Sequence, residues 1–139
     1  MRFVLDNSVA MRWLLKDRQP DVQDYARAVL QRLANGDTAV VPSLFALEAA
    51  NVLVKSQKRG VVSEASAREF LALLAELDIE TDPTTHERAL RDTLNIALQH
   101  NLSAYDAAYL ELALREGLAL ATLDEALLAA LVHAGGVRA

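Results

Sequence analysis

The sequence predicts an α/β protein with a three-layer α/β/α architecture, in which helices cover both faces of a short parallel central sheet. Two patterns predict it. Short β-rich apolar runs alternate with longer stretches of helical periodicity. The helical stretches outweigh the strands, so consecutive strands are joined by crossovers long enough to hold a helix, as parallel pairing requires. Size agrees: 139 residues that are 53% hydrophobic suit one compact domain, expected over residues 1–139, that buries roughly two thirds of its unfolded surface.

Phe3-Val4-Leu5 is a brief apolar run that stops at Asp6, a first strand. From Asp21 to Ala34 the apolar residues Val22, Tyr25, Ala26, Val29, Leu30 and Leu33 make one face of a helix. Asn35-Gly36-Asp37 has turn chemistry, and Ala39-Val40-Val41 is a second strand closed by Pro42. A helix follows from Ser43 to about Lys58, its basic end suited to the helix dipole and Gly60 placed to terminate it. Ser63 opens the next helix, whose face is Ala67, Phe70, Leu71, Leu74 and Leu77. A strand is expected around Ile79, before Asp82-Pro83. Thr84-x-x-Glu87 has the capping-box pattern and predicts a helix running to about His100. Ser103 caps a further helix that ends at Gly117. Leu118 to Ala121 is a fourth strand, Asp124 to about Ala134 the last helix, and Val137 the stub of a final strand. No internal repeat, low-complexity tract or linker interrupts this pattern.

The charge balance, 14 Lys and Arg against 19 Asp and Glu for a net −5, argues against a protein that coats nucleic acid, whose footprint is a basic surplus. It leaves a nuclease open, because bound cations can bring a phosphate to an acidic site. The absence of Cys excludes disulfides, thiolate nucleophiles and Cys-ligated zinc. No stretch reaches the length of an apolar membrane span, and Asp6 interrupts the first apolar run before a signal-peptide core could form. A soluble, cytoplasmic protein is expected, with no membrane partner.

In parallel sheets functional groups gather at the carboxyl ends of the strands. Asp6 directly follows the first strand, and Asp124 follows the fourth after Thr122-Leu123. Two more acids lie within helices on faces expected to be buried: Glu48 among Leu44, Phe45 and Val52, and Asp106 among Tyr109, Leu110 and Ala113. A carboxylate on an apolar face is costly unless paired or bound to a metal. Glu64, Glu87 and Glu111 each have an Arg four residues on (Arg68, Arg91, Arg115), the arrangement of solvated helix pairs. At that offset Asp6, Glu48, Asp106 and Asp124 find Ala10, Val52, Leu110 and Leu128, and no local cation neutralises them. If they converge they need a counter-charge. Mg²⁺, or Mn²⁺ as a substitute, suits such an oxygen site, where it would polarise a phosphodiester and activate water. Each acid taken singly also has a structural reading: Asp6 as a strand-end turn residue, Asp106 as the third residue of a capping box opened by Ser103, Asp124 as a helix cap. Glu48 is the hardest to explain that way, since the helix dipole favours it but an apolar face does not.

In order along the chain, these residues resemble the PIN-domain family, and within it the ribonuclease toxins of VapBC-type toxin–antitoxin modules. Val4-Leu5-Asp6-Asn7-Ser8-Val9 with Trp13-Leu14 is similar to the family's first acidic motif, and Val41 to Leu53, with Glu48 and Asn51, to the second. Leu102-Ser103-Ala104-Tyr105-Asp106-Ala107-Ala108-Tyr109-Leu110 resembles the third, and Leu120-Ala121-Thr122-Leu123-Asp124 the fourth. The resemblance runs from residue 2 to about 131. It implies that Asp6, Glu48, Asp106 and Asp124 form a catalytic metal-binding site, with Ser8, Asn51 and Thr122 in support, hydrogen-bonding carboxylates or water. It further implies Mg²⁺-dependent endonucleolytic cleavage of RNA, a homodimer, and a cognate antitoxin protein as partner. The few residues after Gly135-Gly136 leave only a very short last strand at the sheet edge.

Two other functions use some of the same features. An Asp at the end of the first strand suits aspartate-based phosphotransfer, although a haloacid-dehalogenase-like phosphatase would want a second Asp where Ser8 stands. The same fold also serves as a non-catalytic interaction module, against which stand all four intact acids. His86, His100 and His133 share no metal-ligand spacing and are read as structural or surface residues. Trp13 with Leu14 and Leu15 is read as core, with a dimer or antitoxin contact as the other reading. Lys55, Lys58 and Arg59, and Arg12, Lys16 and Arg18 near the first acid, are read as solvated helix ends, with contact to RNA phosphates as the minority reading.

Overall fold

The computed structural model describes residues 1–139. A four-stranded, all-parallel sheet lies at its centre in the order β3-β2-β1-β4, formed by β1 (Arg2–Leu5), β2 (Thr38–Val41), β3 (Ile79–Thr81) and β4 (Leu120–Ala121). Phe3, Val4 and Leu5 are all completely buried, as are Leu120 and Ala121, and Ala39 to Val41 nearly so. Since successive strand residues point to opposite faces, this unbroken burial means that both faces are covered. The predicted three-layer arrangement is therefore realised, and 27 buried residues form one continuous apolar cluster.

Each crossover carries helix. After β1 come a single turn, α1 (Asn7–Ala10), a 3₁₀ turn at Met11–Trp13, and α2 (Pro20–Ala34). The sequence predicted α2 but not the two short turns, which are too brief to show periodicity. Proline at the first position of α2, where its missing N–H costs nothing, moves the start one residue ahead of Asp21. After β2 come α3 (Phe45–Lys58), which starts two residues later than expected, and α4 (Glu64–Glu76), capped by Ser63 Oγ accepting from the Ser66 N–H at 3.1 Å.

The helix expected from Thr84 to His100 is instead broken into α5 (Thr85–Arg88), a wide π-type turn over Ala89–Thr93, and α6 (Leu94–His100). Arg91 leaves the helical region (φ −123°, ψ −106°). The capping box does not form: the Thr84 hydroxyl turns back to Asp82 at 3.2 Å rather than capping its helix. α7 (Ala104–Glu116) ends at Gly117, whose positive φ of 64° lets the chain reverse into β4. β4 is shorter than the expected strand over Leu118–Ala121, and α8 (Glu125–His133) follows. The stub anticipated at Val137 is realised one residue on, as a single parallel bridge between Arg138 and Leu120. Trp13 packs against the core while half-buried, its indole N–H donating to Ala26 O at 2.8 Å. The rings of His100 and His133 meet edge to face at 5.7 Å, and His86 is exposed. No helix is long and apolar enough to cross a membrane.

Candidate active site

The sheet order places β1 between β2 and β4, so the chain turns one way from β1 to β2 and the other way to reach β4. At such a reversal the loops diverge and open a crevice at the carboxyl ends of the strands. Asp6 stands there. Its backbone N–H continues the ladder to Ala121 O at 2.9 Å, and its side chain is only 4% exposed.

Two hydroxyls hold the Asp6 carboxylate. Ser8 Oγ donates to Oδ2 at 2.5 Å and Thr122 Oγ1 donates to the same oxygen at 2.8 Å. Each hydroxyl also accepts a backbone N–H, Ser8 from Leu123 at 3.0 Å and Thr122 from Asp124 at 3.0 Å. A hydroxyl has one proton, and accepting from the backbone leaves that proton to be aimed at Asp6. Burial nevertheless pushes the Asp6 carboxyl up to about 6; the two hydrogen bonds oppose the rise, and the negative charges of Asp106 and Asp124 add to it.

The other three acids sit at helix N-termini, where the backbone dipole favours negative charge. Glu48 lies in the first turn of α3, Asp106 in the first turn of α7, and Asp124 is the N-cap of α8, its Oδ1 accepting the Leu127 N–H at 2.8 Å. Glu48 and Asp106 are half-buried, not enclosed as their apolar neighbours had predicted, because each lies at the mouth of the crevice where its helix begins. Both carboxyls are raised. For Glu48 burial is the main cause, offset by a hydrogen bond from Tyr109 and reinforced by the charges of Asp6 and Asp106. For Asp106 the cause is burial followed by the charge of Asp124, against the influence of Ser103. Ser103 caps α7 by accepting the Asp106 N–H at 3.1 Å.

Asn51, expected in support, is exposed and makes no hydrogen bond to the acids. Tyr109 takes a place that sequence reasoning missed: completely buried, it donates its hydroxyl to Glu48 Oε1 at 2.6 Å and so ties α3 to α7. The signal was present, as a hydroxyl one turn after Asp106 on an otherwise apolar face. Asn7 Oδ1, next along the chain from Asp6, is buried without a hydrogen-bond partner.

None of the ion pairs in the molecule includes Asp6, Glu48, Asp106 or Asp124. Mutual repulsion contributes to the raised Asp6, Glu48 and Asp106 carboxyls, and no lysine or arginine relieves it. Hard oxygen donors with uncompensated charge are the donor set a divalent cation such as Mg²⁺ takes. As the side chains stand, no three of them are close enough to hold one ion together. The donors fit in kind, and in position they need to draw inward.

The sheet and these acids define the class: an α/β protein with a carboxylate cluster at the carboxyl ends of its central strands. The chain belongs to the PIN domain family, whose model matches residues 3–131. It is similar to Ribonuclease VapC3 of Pyrobaculum aerophilum, with 32% identity over 127 residues that cover 91% of this chain and 92% of the relative. Among solved structures it is similar to PAE2754 from Pyrobaculum aerophilum, at a TM-score of 0.66 and 25% identity over 94% of this chain and 87% of that one. It also shares its fold with VapBC2 from Rickettsia felis, solved bound to a DNA fragment from their promoter, at a TM-score of 0.61 and 18% identity over 89% and 88% of the two chains.

Proposed function

We propose that this protein is a metal-dependent endoribonuclease, the toxin of a toxin–antitoxin pair, which hydrolyses RNA phosphodiester bonds at Asp6, Glu48, Asp106 and Asp124. The observation that carries this reading is the cluster of carboxylates without a cation at the strand ends. The similarity to a ribonuclease of the same family and nearly the same length supports it. Asp6, Glu48, Asp106 and Asp124 would hold Mg²⁺, or Mn²⁺ in its place. Such an ion, when bound, supplies Lewis acidity at the phosphodiester and lowers the pKa of water for attack. Ser8 and Thr122 keep Asp6 in one orientation, and Tyr109 does the same for Glu48. Asn51 is left in the outer support role that its exposure allows. The cognate antitoxin and the homodimer come from the family resemblance, and the cytoplasmic setting from the sequence reading of a first apolar run cut short at Asp6.

The experiment is to sequence new RNA ends after incubating total cellular RNA with the protein in Mg²⁺, Mn²⁺ or EDTA, with Asp106→Asn as control. New ends that need the metal and vanish in the variant are expected. A second reading, a non-catalytic module of the same fold, is favoured by the lack of three convergent ligands. No new ends from folded, partner-free protein would establish it in place of the nuclease.

A further inference from the structure

Of the main clefts on the surface, one touches the carboxylate cluster: a cavity of about 310 Å³ lined by Ser8, Arg12, Asp17, Val22, Leu123 and Asp124. It joins Ser8, which holds Asp6, and Asp124 of the carboxylate cluster to the loop that leaves the first helical turns. Arg12 is the cation of this lining, beside two carboxylates. Its guanidinium Nη1 meets Asp17 Oδ2 at 3.4 Å, with both side chains a little over a quarter exposed (28% and 29%). That pair is long for a charge-assisted contact and is of the half-exposed kind that contributes little.

The backbone that carries Arg12 is held far more firmly than its charge. Gln23, from α2, donates its Nε2 to Arg12 O at 3.1 Å and accepts the Asp17 N–H at 2.9 Å, so a single amide brackets both ends of the loop. Asp17 Oδ1 accepts the Gln19 N–H at 2.8 Å, and the Trp13 indole anchors the adjoining turn to α2. A planar five-donor group is thus carried on a rigid stretch of backbone at the rim of an acidic cleft, with a weak partner that can be exchanged.

We infer that Arg12 is the docking point for an RNA phosphate flanking the scissile one, and that Asp17 is its resting counter-ion, displaced when RNA enters the cleft. The inference rests on the nuclease reading and deepens it. An RNA strand whose reacting phosphate lies at the carboxylates must carry its neighbouring phosphates away along the surface, and this cleft is the channel that starts at Ser8 and Asp124. A guanidinium matches a phosphate's paired oxygens better than it matches Asp17 as placed here. Lys16 and Arg18, exposed on the same loop, continue the positive edge outward.

The test is binding of a fluorescein-labelled, random-sequence single-stranded RNA 20-mer to the full chain in Ca²⁺, titrated over a range of KCl, with thermal melts confirming each variant's fold. Arg12→Ala is expected to weaken binding about three- to tenfold and to lower the salt slope by about 0.7, one single-strand phosphate contact. Arg12→Lys keeps that slope, because the charge remains. Asp17→Asn, whose amide oxygen can still accept the Gln19 N–H, tightens binding, and the gain shrinks when Arg12→Ala is present. An Arg12→Ala protein with unchanged affinity and slope overturns the inference and leaves the nuclease reading standing, as does a loss confined to turnover. Failure of the unmodified protein both to bind this RNA and to release new ends from total RNA overturns both.

Discussion

Asp6 and Asp82 occupy equivalent places and have opposite fates. Each is the residue directly after a strand of the same parallel sheet, and each extends the ladder by one bond, Asp6 N–H to Ala121 O at 2.9 Å and Asp82 N–H to Val41 O at 2.8 Å. Both are almost fully buried, at 4% and 5% exposed. Asp82 receives the Arg115 guanidinium at 2.7 Å, and Arg115 is simultaneously bound to Glu111 at 2.9 Å. Burial works to raise the Asp82 carboxyl, but the hydrogen bonds and charge of Arg115 bring it below its ordinary value. Asp6 receives only neutral hydroxyls and is raised.

The same helix serves both regions. The first turns of α7 present Asp106 and Tyr109 to the unpaired cluster, and its second half presents Arg115, braced by Glu111, to Asp82. Burial of a carboxylate is therefore not what marks a candidate site here. The mark is burial without a cation, a charge left over for something that arrives from outside.

Arg115 is the side chain on which the difference between the two aspartates depends most. Arg115→Ala leaves Asp82 and Glu111 buried without a counter-charge, and a loss of about 3–5 kcal/mol of unfolding free energy is expected by urea titration at pH 7. Because the folded Asp82 carboxyl is depressed, its contribution is present above the ordinary carboxyl pKa of about 4 and is lost as pH falls below it. The variant should accordingly lose less stability than the native protein between pH 5 and pH 3.

Asp6→Asn should act in the opposite sense. The folded carboxyl is raised to about 6, so the native protein carries no penalty below about pH 4 and loses stability as pH rises through 6. In metal-free protein at pH 7.5 the amide should stabilise by on the order of 3 kcal/mol, with the gain gone near pH 4 and RNA cleavage abolished. A destabilised Asp6→Asn at neutral pH would place this residue with Asp82, as structure. The smallest effect is expected at Arg68→Ala, which removes an exposed pair to Glu64 at 2.6 Å. Less than about 0.5 kcal/mol should be lost, which separates the solvated pairs from the buried one.

Much of the fold was legible. Alternating strand and helix patterns gave all four strands, and the serine caps at Ser63 and Ser103 formed as their positions foretold. The misreadings share a cause. Glu64–Arg68, Glu87–Arg91 and Glu111–Arg115 look identical at four-residue spacing, yet only the first is the solvated pair expected. Glu87 makes no ion pair with Arg91, because the backbone kinks there and Arg88 reaches Asp92 at 3.9 Å instead. Glu111–Arg115 is buried because Asp82 comes to meet it from the end of β3. Local spacing states which side chains share a helix face, and it does not state what that face packs against.

The layered α/β architecture is readable from local patterns, as is the set Asp6, Glu48, Asp106 and Asp124, acids with no cation one helical turn ahead. Local periodicity and capping act within that range, so they can be read residue by residue. Which buried acids are neutralised, and which hydroxyls hold the rest, depends on contacts between distant parts of the chain. Arg115 reaches Asp82 across 33 positions, Tyr109 reaches Glu48 across 61 and Thr122 reaches Asp6 across 116. Those meetings depend on the order of strands in the sheet, which brings chain-distant ends to one edge, and no spacing within a single helix encodes that order.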